Sequence, residues 1–428
     1  MKRILYLDTL RGFLILYVIF IHAILLVIFQ ANYDYIDLLP VWLVALMIPM
    51  LLIAMWGPMF SMMSSTTNTI IVYHQLEKGK KLQKIIINRM ISYSLIIVIH
   101  IINMFFFIHF IPLDGKIYRS LICGTLETGQ ITLPSIIMFL NSGTLLLIGL
   151  SGLLINIILL IIWRNNGHKN LIKTGYIFFG LTISFLFIRP FVYPSINTFI
   201  LHLSSQNQNL IAIMLSWLFR GQFGLIPMAA FPFLGVIFGL LLIGNVKKQS
   251  IMKIGFGLTA GMLIFALLFI GLYGVPDLTL PYWPVAMVAV NLMIMVFVTT
   301  LLILRYKYSS EKTQEKIMKR SIFFRRFSMI TLTIFVFESI IAVIWAKIFI
   351  FIFKDPFPFN VFADVLYLFC VISTWYIILR VWERFDFKYS IEWFMMKIIS
   401  KINGKKSHKL DVKTVLYQSF HSEEQTEK

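Results

Sequence analysis

The chain has 428 residues, of which 59% are hydrophobic and only 13% charged, with a formal net charge of +19. Soluble proteins carry roughly 25% charged residues, so these proportions exclude a water-soluble domain. Two cysteines, Cys123 and Cys370, are too few for a disulfide framework or a thiolate metal site, and their separate settings predict no pairing.

In chain order, apolar blocks close to the ~20 residues that cross a ~30 Å hydrocarbon core predict membrane helices. The predicted crossings are 13–30, 41–72, 90–111, 134–163, 174–201, 223–244, 254–274, 285–304, 328–353 and 360–381. The first block follows a basic start, Lys2 and Arg3, but runs to Phe29 without a small-residue cleavage site, so it reads as a helix and not as a signal peptide. The second is too long for a straight crossing, and Gly57-Pro58 is placed to break it. Beyond that break, Ser61, Ser64, Ser65, Thr66, Thr67, Asn68 and Thr69 either line a cavity or serve helix packing.

Residues 202–222 read as an outer loop with a short interfacial helix around Trp217. The stretch 305–327 reads as a cytoplasmic linker, too charged to be buried. After the last crossing, Trp382, Phe385, Trp393, Phe394 and Met395 alternate with charges, which predicts a helix over 382–404 lying on the inner leaflet. The end, 405–428, reads as a mobile polar tail. The expected fold is therefore all-α: one polytopic transmembrane domain over 1–381 with about ten spanning helices.

The charges are distributed by side. Basic residues cluster in alternate loops, at 78–89, 164–173, 247–253 and 305–326, and in the tail from Arg380. Only Lys116, Arg119, Arg220 and Lys354 fall opposite, and Arg189 and Lys347 fall within segments. This positive-inside pattern places both termini in the cytoplasm and accounts for the charge without a nucleic-acid partner. The expected location is the cell (plasma) membrane, with the lipid bilayer as partner.

Ionisable groups inside membrane segments cost a few kcal/mol or more unless they are paired, so they mark candidate sites. Arg11 and His22 lie eleven residues apart, ~20° beyond three full helical turns, on one face and roughly 16 Å apart along the axis. Glu338 lies about ten residues, or ~15 Å, into the ninth segment, at a depth similar to that of His22. A carboxylate beside the imidazole would fix its tautomer and stabilise its cation. A purely structural polar clasp between two helices is the competing reading. His100, also near mid-depth, is an alternative partner. Arg189 and Arg220 lie toward the outer side, where snorkelling explains them. His109 and His202 sit at outer boundaries, and His74 and His168 in cytoplasmic loops. No HExxH, GxSxG, paired Cys/His spacing or phosphate-cradling glycine loop is present, and no metal is expected.

The opening Leu7-Asp8-Thr9-Leu10-Arg11-Gly12-Phe13, followed by His22, resembles the start of integral-membrane acyltransferases. Arg11 and His22 match the spacing of the bacterial family that acylates surface polysaccharides, with ten residues between arginine and histidine. Related openings occur in the heparan-α-glucosaminide N-acetyltransferase-like and YeiB-like membrane families. The terminal Trp382-Glu383-Arg384-Phe385 with Ser390-Ile391-Glu392-Trp393, and the stretch from Phe327 to Thr333, resemble YeiB-like signatures. The resemblance implies a cytoplasmic acyl-CoA donor, acetyl-CoA first, with Arg11 near its phosphates and His22 near the acyl group or the acceptor. Two positions depart from it: the families often place His or Gln where Glu338 stands, and Ser64-Ser65-Thr66 replaces a glycine-containing motif.

The leading expectation is thus an acyltransferase moving an acyl group to a glycan or lipid acceptor, with His22 and Glu338 catalytic and Arg11 binding the donor. A transporter or lipid flippase, using the broken second helix with Arg189 and Arg220, is the second reading. A noncatalytic membrane scaffold using its basic tail is the third.

Overall fold

The computed structural model describes residues 5–30, 57–113, 116–221, 223–244, 246–274, 285–354, 357, 360–404 and 412–417. Helix α1 is Leu5–His22, and it runs directly into a π-helix, Ala23–Ile28. Then follow α2, Gly57–Glu77, and α3, Leu82–Phe106. A two-stranded antiparallel hairpin comes next, β1 Phe110–Leu113 and β2 Lys116–Arg119, with Phe110 opposite Arg119. After it come α4, Leu121–Thr128, a 3₁₀ turn at Ile136–Leu140, α5, Thr144–Ile162, and a second 3₁₀ turn at Arg164–Lys169. The chain continues with α6, Leu171–Ser205, α7, Asn209–Phe219, α8, Ala230–Ile243, α9, Lys248–Tyr273, and α10, Val285–Lys307. It closes with α11, Glu311–Ser328, α12, Thr331–Phe353, α13, Val361–Glu383, α14, Ile391–Ile402, and α15, Val412–Tyr417.

Among the described residues, eight helices are long and apolar enough to cross a membrane. They coincide with eight of the ten predicted crossings. Of the other two, α8 has 14 residues, and the 41–72 segment lies partly outside the described residues, with α2 beginning at Gly57. Packing divides the chain into two compact units.

The first unit comprises residues 1–54, 103–135 and 306–428. Its central contact is α1 against α11. A Cβ on Gly12 would lie 1.7 Å from the carbonyl oxygen of Phe324, so only glycine lets the two backbones approach this closely. Phe13 closes the contact edge-on to Phe324, with ring centroids 5.9 Å apart.

Over 318–327 this overturns the expectation that 305–327 is too charged to be buried, while 305–317 contains no buried residue. Met318, Arg325, Arg326 and Phe327 are all buried. The reason is amphipathicity with paired charge: Arg325 donates to the Leu416 carbonyl at 2.8 Å, and Arg326 donates to Glu383 at 2.7 Å and to the Tyr417 hydroxyl at 3.0 Å. Val412–Tyr417, inside the stretch expected to be a mobile tail, is thus tied down, with Val412 and Leu416 buried.

The two terminal signatures also meet here. The Glu392 carboxylate accepts from the Leu332 N–H at 2.6 Å, and from the Thr333 N–H at 3.3 Å and hydroxyl at 2.5 Å, while the Ile391 N–H donates to the Thr333 hydroxyl at 2.8 Å. The first N–H groups of a helix have no partners within it. Glu392, on α14, caps α12 from sixty residues away and complements its dipole.

The second unit comprises residues 55–102 and 136–305. Here α2 lies against α8. A Cβ on Gly235 would fall 2.2 Å from the Met62 carbonyl oxygen, and one on Gly239 would fall 2.8 Å from Thr69, a small-residue seam of the GxxxG type. Of the polar stretch of α2, Thr66 and Thr69 serve this seam, while Ser64 meets the Tyr93 hydroxyl at 3.2 Å and Asn68 accepts from Arg89 at 2.7 Å and donates to Asn156 at 3.4 Å. Ser65, Thr66, Thr67 and Thr69 donate to carbonyls one turn back in their own helix, and Thr66 also contacts the Gly235 carbonyl at 2.9 Å. For Thr66 and Thr69 the packing reading describes what the structure shows.

Candidate functional site

The site is built on two helices of the first unit. Helix α1 carries Asp8, Arg11 and His22, and α12 carries Glu338. His22 is the last α-helical residue before Ala23–Ile28, where the backbone widens to π geometry; the Phe29 N–H, for example, donates to the Ile24 carbonyl at 2.9 Å. π-Segments are uncommon and recur at functional positions.

The His22 Nδ1 lies 2.6 Å from the Glu338 Oε1. Ser339 donates to the same oxygen at 3.3 Å. The Glu338 side chain is 5% exposed and that of His22 35% exposed. An ionised carboxylate can only accept, so opposite one Nδ1 is the donor, and in the neutral imidazole Nε2 then keeps its lone pair. The buried acid and the more accessible base thus have the polarity of a carboxylate–imidazole dyad. Phe335 packs edge-on to the imidazole, with centroids 6.4 Å apart.

At the other end of α1, a guanidinium nitrogen of Arg11 is 3.9 Å from Asp8, a looser contact one turn apart. Thr9, in the same turn, receives the Tyr306 hydroxyl at 3.4 Å. Both predicted positions on α1 therefore carry polar chemistry, at opposite ends of one helix.

His100, the alternative partner, belongs to the second unit, where it packs against Trp217 (centroids 6.4 Å apart) and against Gly143. Arg220 is buried there, and its carbonyl accepts from Ser142. The side chain of Arg189 lies outside the described residues. His202 and His74 are exposed, and His168 packs between Tyr73 and Trp163.

Sequence reasoning placed His109 at an outer boundary and did not foresee its burial. It follows the end of α3, is 5% exposed, and has no hydrogen-bond partner for either ring nitrogen among the described residues. It lies within electrostatic reach of Glu127, Glu338, His22 and Arg119, but burial dominates and holds its pKa below the ordinary imidazole value. The surrounding segment reaches α12 through Phe107, whose ring is 4.9 Å from that of Phe337, next to Glu338. Cys123 on α4 donates to the Phe107 carbonyl at 2.9 Å, and burial first of all pushes its thiol up to about 12. It is a structural thiol and not a nucleophile. Among the described residues, no group of three or more His, Cys, Asp or Glu converges.

No family model, curated protein or solved structure matches the chain.

Proposed function

We propose that the chain is a membrane-embedded acyltransferase with ten crossings, both termini cytoplasmic, and a location in the cell membrane. Acyl-CoA, acetyl-CoA first, is the donor substrate, and a glycan or lipid is the acceptor. The observation that carries this reading is the 2.6 Å contact between the His22 Nδ1 and Glu338, which leaves Nε2 outside that contact.

In this reading Nε2 takes the proton of an acceptor hydroxyl or amine as that atom attacks the thioester carbonyl. The C–S bond then breaks, and the imidazolium returns the proton to the departing CoA thiolate. Glu338 stabilises the imidazolium without itself taking the proton. Arg11, on the same face of α1 toward the cytoplasmic end, pairs with the donor's phosphates. The transport reading, which draws on the broken second helix with Arg189 and Arg220, is weaker because transporters often pair such breaks in corresponding halves and the sequence carries one clear break.

The test incubates labelled acetyl-CoA with membranes holding wild type or His22→Ala protein at equal abundance, and follows label into lipid and glycan fractions. Transfer by wild type alone is expected. Equal transfer by His22→Ala removes His22 from the mechanism. No transfer by wild type from acetyl-CoA or from longer acyl-CoA donors overturns the enzyme reading.

A further inference from the structure

The second unit holds a basic pocket of about 850 Å³, remote in sequence from His22 and Glu338. Ligand pockets commonly span ~300–1,000 Å³. It lies where the α2–α3 turn meets the end of α5, and Lys80, Lys81 and Arg164 line it together with Asn165, Leu82 and Ile161. The charge balance there is one-sided. Residues 73–84 and 163–173 contain Lys78, Lys80, Lys81, Lys84, Arg164, Lys169 and Lys173, against the single carboxylate of Glu77. Glu77 is 3.6 Å from His168.

The pocket has a built floor. Trp163 is 1% exposed and donates through its indole N–H to Thr174 at 3.1 Å. Tyr73, Trp163 and His168 pack edge to face, with centroids 6.2–6.5 Å apart. The loop above them is held in an unusual shape: Asn165 and Asn166 have φ of 52° and 64°, and a Cβ on Gly167 would fall 2.0 Å from the Ile162 carbonyl oxygen. Two asparagines tolerate the left-handed region better than most residues, and only glycine fits the third position.

The walls say what kind of anion fits. Ile161 lines the pocket and is 70% exposed, while Ile87, Ile172 and Tyr176 nearby in sequence are 57%, 74% and 73% exposed. Cations thus line the pocket together with an exposed apolar residue, Ile161, the combination that would meet a phospholipid where its phosphate joins its chains. A soluble phosphate would gain nothing from that apolar wall.

We infer that this pocket binds the headgroup of an anionic phospholipid of the cytoplasmic leaflet, its phosphate held by Lys80, Lys81 and Arg164 and its chains lying over Ile161. The inference does not rest on acyl transfer and survives if that reading fails.

The test is native mass spectrometry of delipidated full-length protein in detergent, offered dioleoyl phosphatidylglycerol, dioleoyl phosphatidylcholine or inorganic phosphate. Wild type is expected to retain phosphatidylglycerol on the order of tenfold over phosphatidylcholine. The triple variant Lys80→Gln, Lys81→Gln, Arg164→Gln is expected to lose on the order of a hundredfold in phosphatidylglycerol retention, since each cation near a membrane surface contributes a factor of about five. These side chains are exposed, and an unchanged elution profile checks that the variant stays folded. A control, Lys312→Gln, Lys316→Gln, Arg320→Gln, removes equal charge from α11 and is expected to bind as wild type. Equal loss in both variants, equal retention of the neutral lipid, or displacement of phosphatidylglycerol by millimolar inorganic phosphate would each overturn a specific lipid site.

Discussion

The side chain of Glu338 is almost wholly enclosed, so its charge has to be met locally, and His22 and Ser339 meet it. Glu338→Gln keeps the shape but removes the charge that stabilises an imidazolium. Acyl transfer is expected to fall ~100-fold or more, read as initial rates per mole of protein in membranes. A change of under about twofold would make the pair a clasp only. His109 predicts a pH effect. Its folded pKa lies below its ordinary value because of burial. The stability it contributes is therefore present in full above the ordinary value, ~6.5, and is lost as pH falls through the folded value. Thermal midpoints in detergent are expected to drop on acidification from pH 8 to 5, and His109→Gln is expected to flatten that slope. The depths of His22 and Glu338 were legible in the sequence because helical rise is regular. His109 was not, because it lies beyond α3 in non-helical backbone, where no periodicity reports burial.

Among the elements, α11 shows the limit of reading charge as exposure. Arg325 and Arg326 are buried because Leu416, Tyr417 and Glu383 receive them, and those partners lie 57 to 91 residues away. Local composition carries no trace of them. The close approach of α1 and α11 gives a sharp comparison of glycines. Gly12→Ala is expected to lower abundance and thermal stability markedly, because the obstructing atom is backbone. Gly261→Ala in α9 meets nothing within 4 Å and is expected to be neutral or to stabilise by up to ~1 kcal/mol. Equal effects, measured by thermal shift in detergent, would deny the α1–α11 contact. Glu392→Ala leaves two helix-terminal N–H groups of α12 without their cap. It is expected to cost ~1–2 kcal/mol and to loosen the helix that carries Glu338.

For the whole molecule, the eight helices that are long and apolar enough to cross a membrane among the described residues were legible because length and apolarity alone define them. The division into two units was not, because residues 103–135 leave one unit's sequence to join the other and no change of composition marks the transfer. The proposed orientation is testable on a Cys123→Ser, Cys370→Ser background. A membrane-impermeant maleimide is expected to label Glu127→Cys in intact cells and Lys312→Cys only after lysis. The reverse pattern would invert the topology and move the donor's entry side with it.

The contact between His22 and Glu338 joins residues 316 positions apart, and translation makes them in that order. At roughly 5–20 residues per second, the imidazole waits some ~15–60 s in the bilayer before its carboxylate is synthesised. A histidine can wait as a neutral group, whereas a carboxylate left alone at that depth costs a few kcal/mol. Making the neutral-capable partner first means that the acid enters a membrane already holding its base. The exchange His22→Glu with Glu338→His keeps the pair but reverses the schedule. Its first helix is expected to insert less efficiently in a glycosylation-mapping assay.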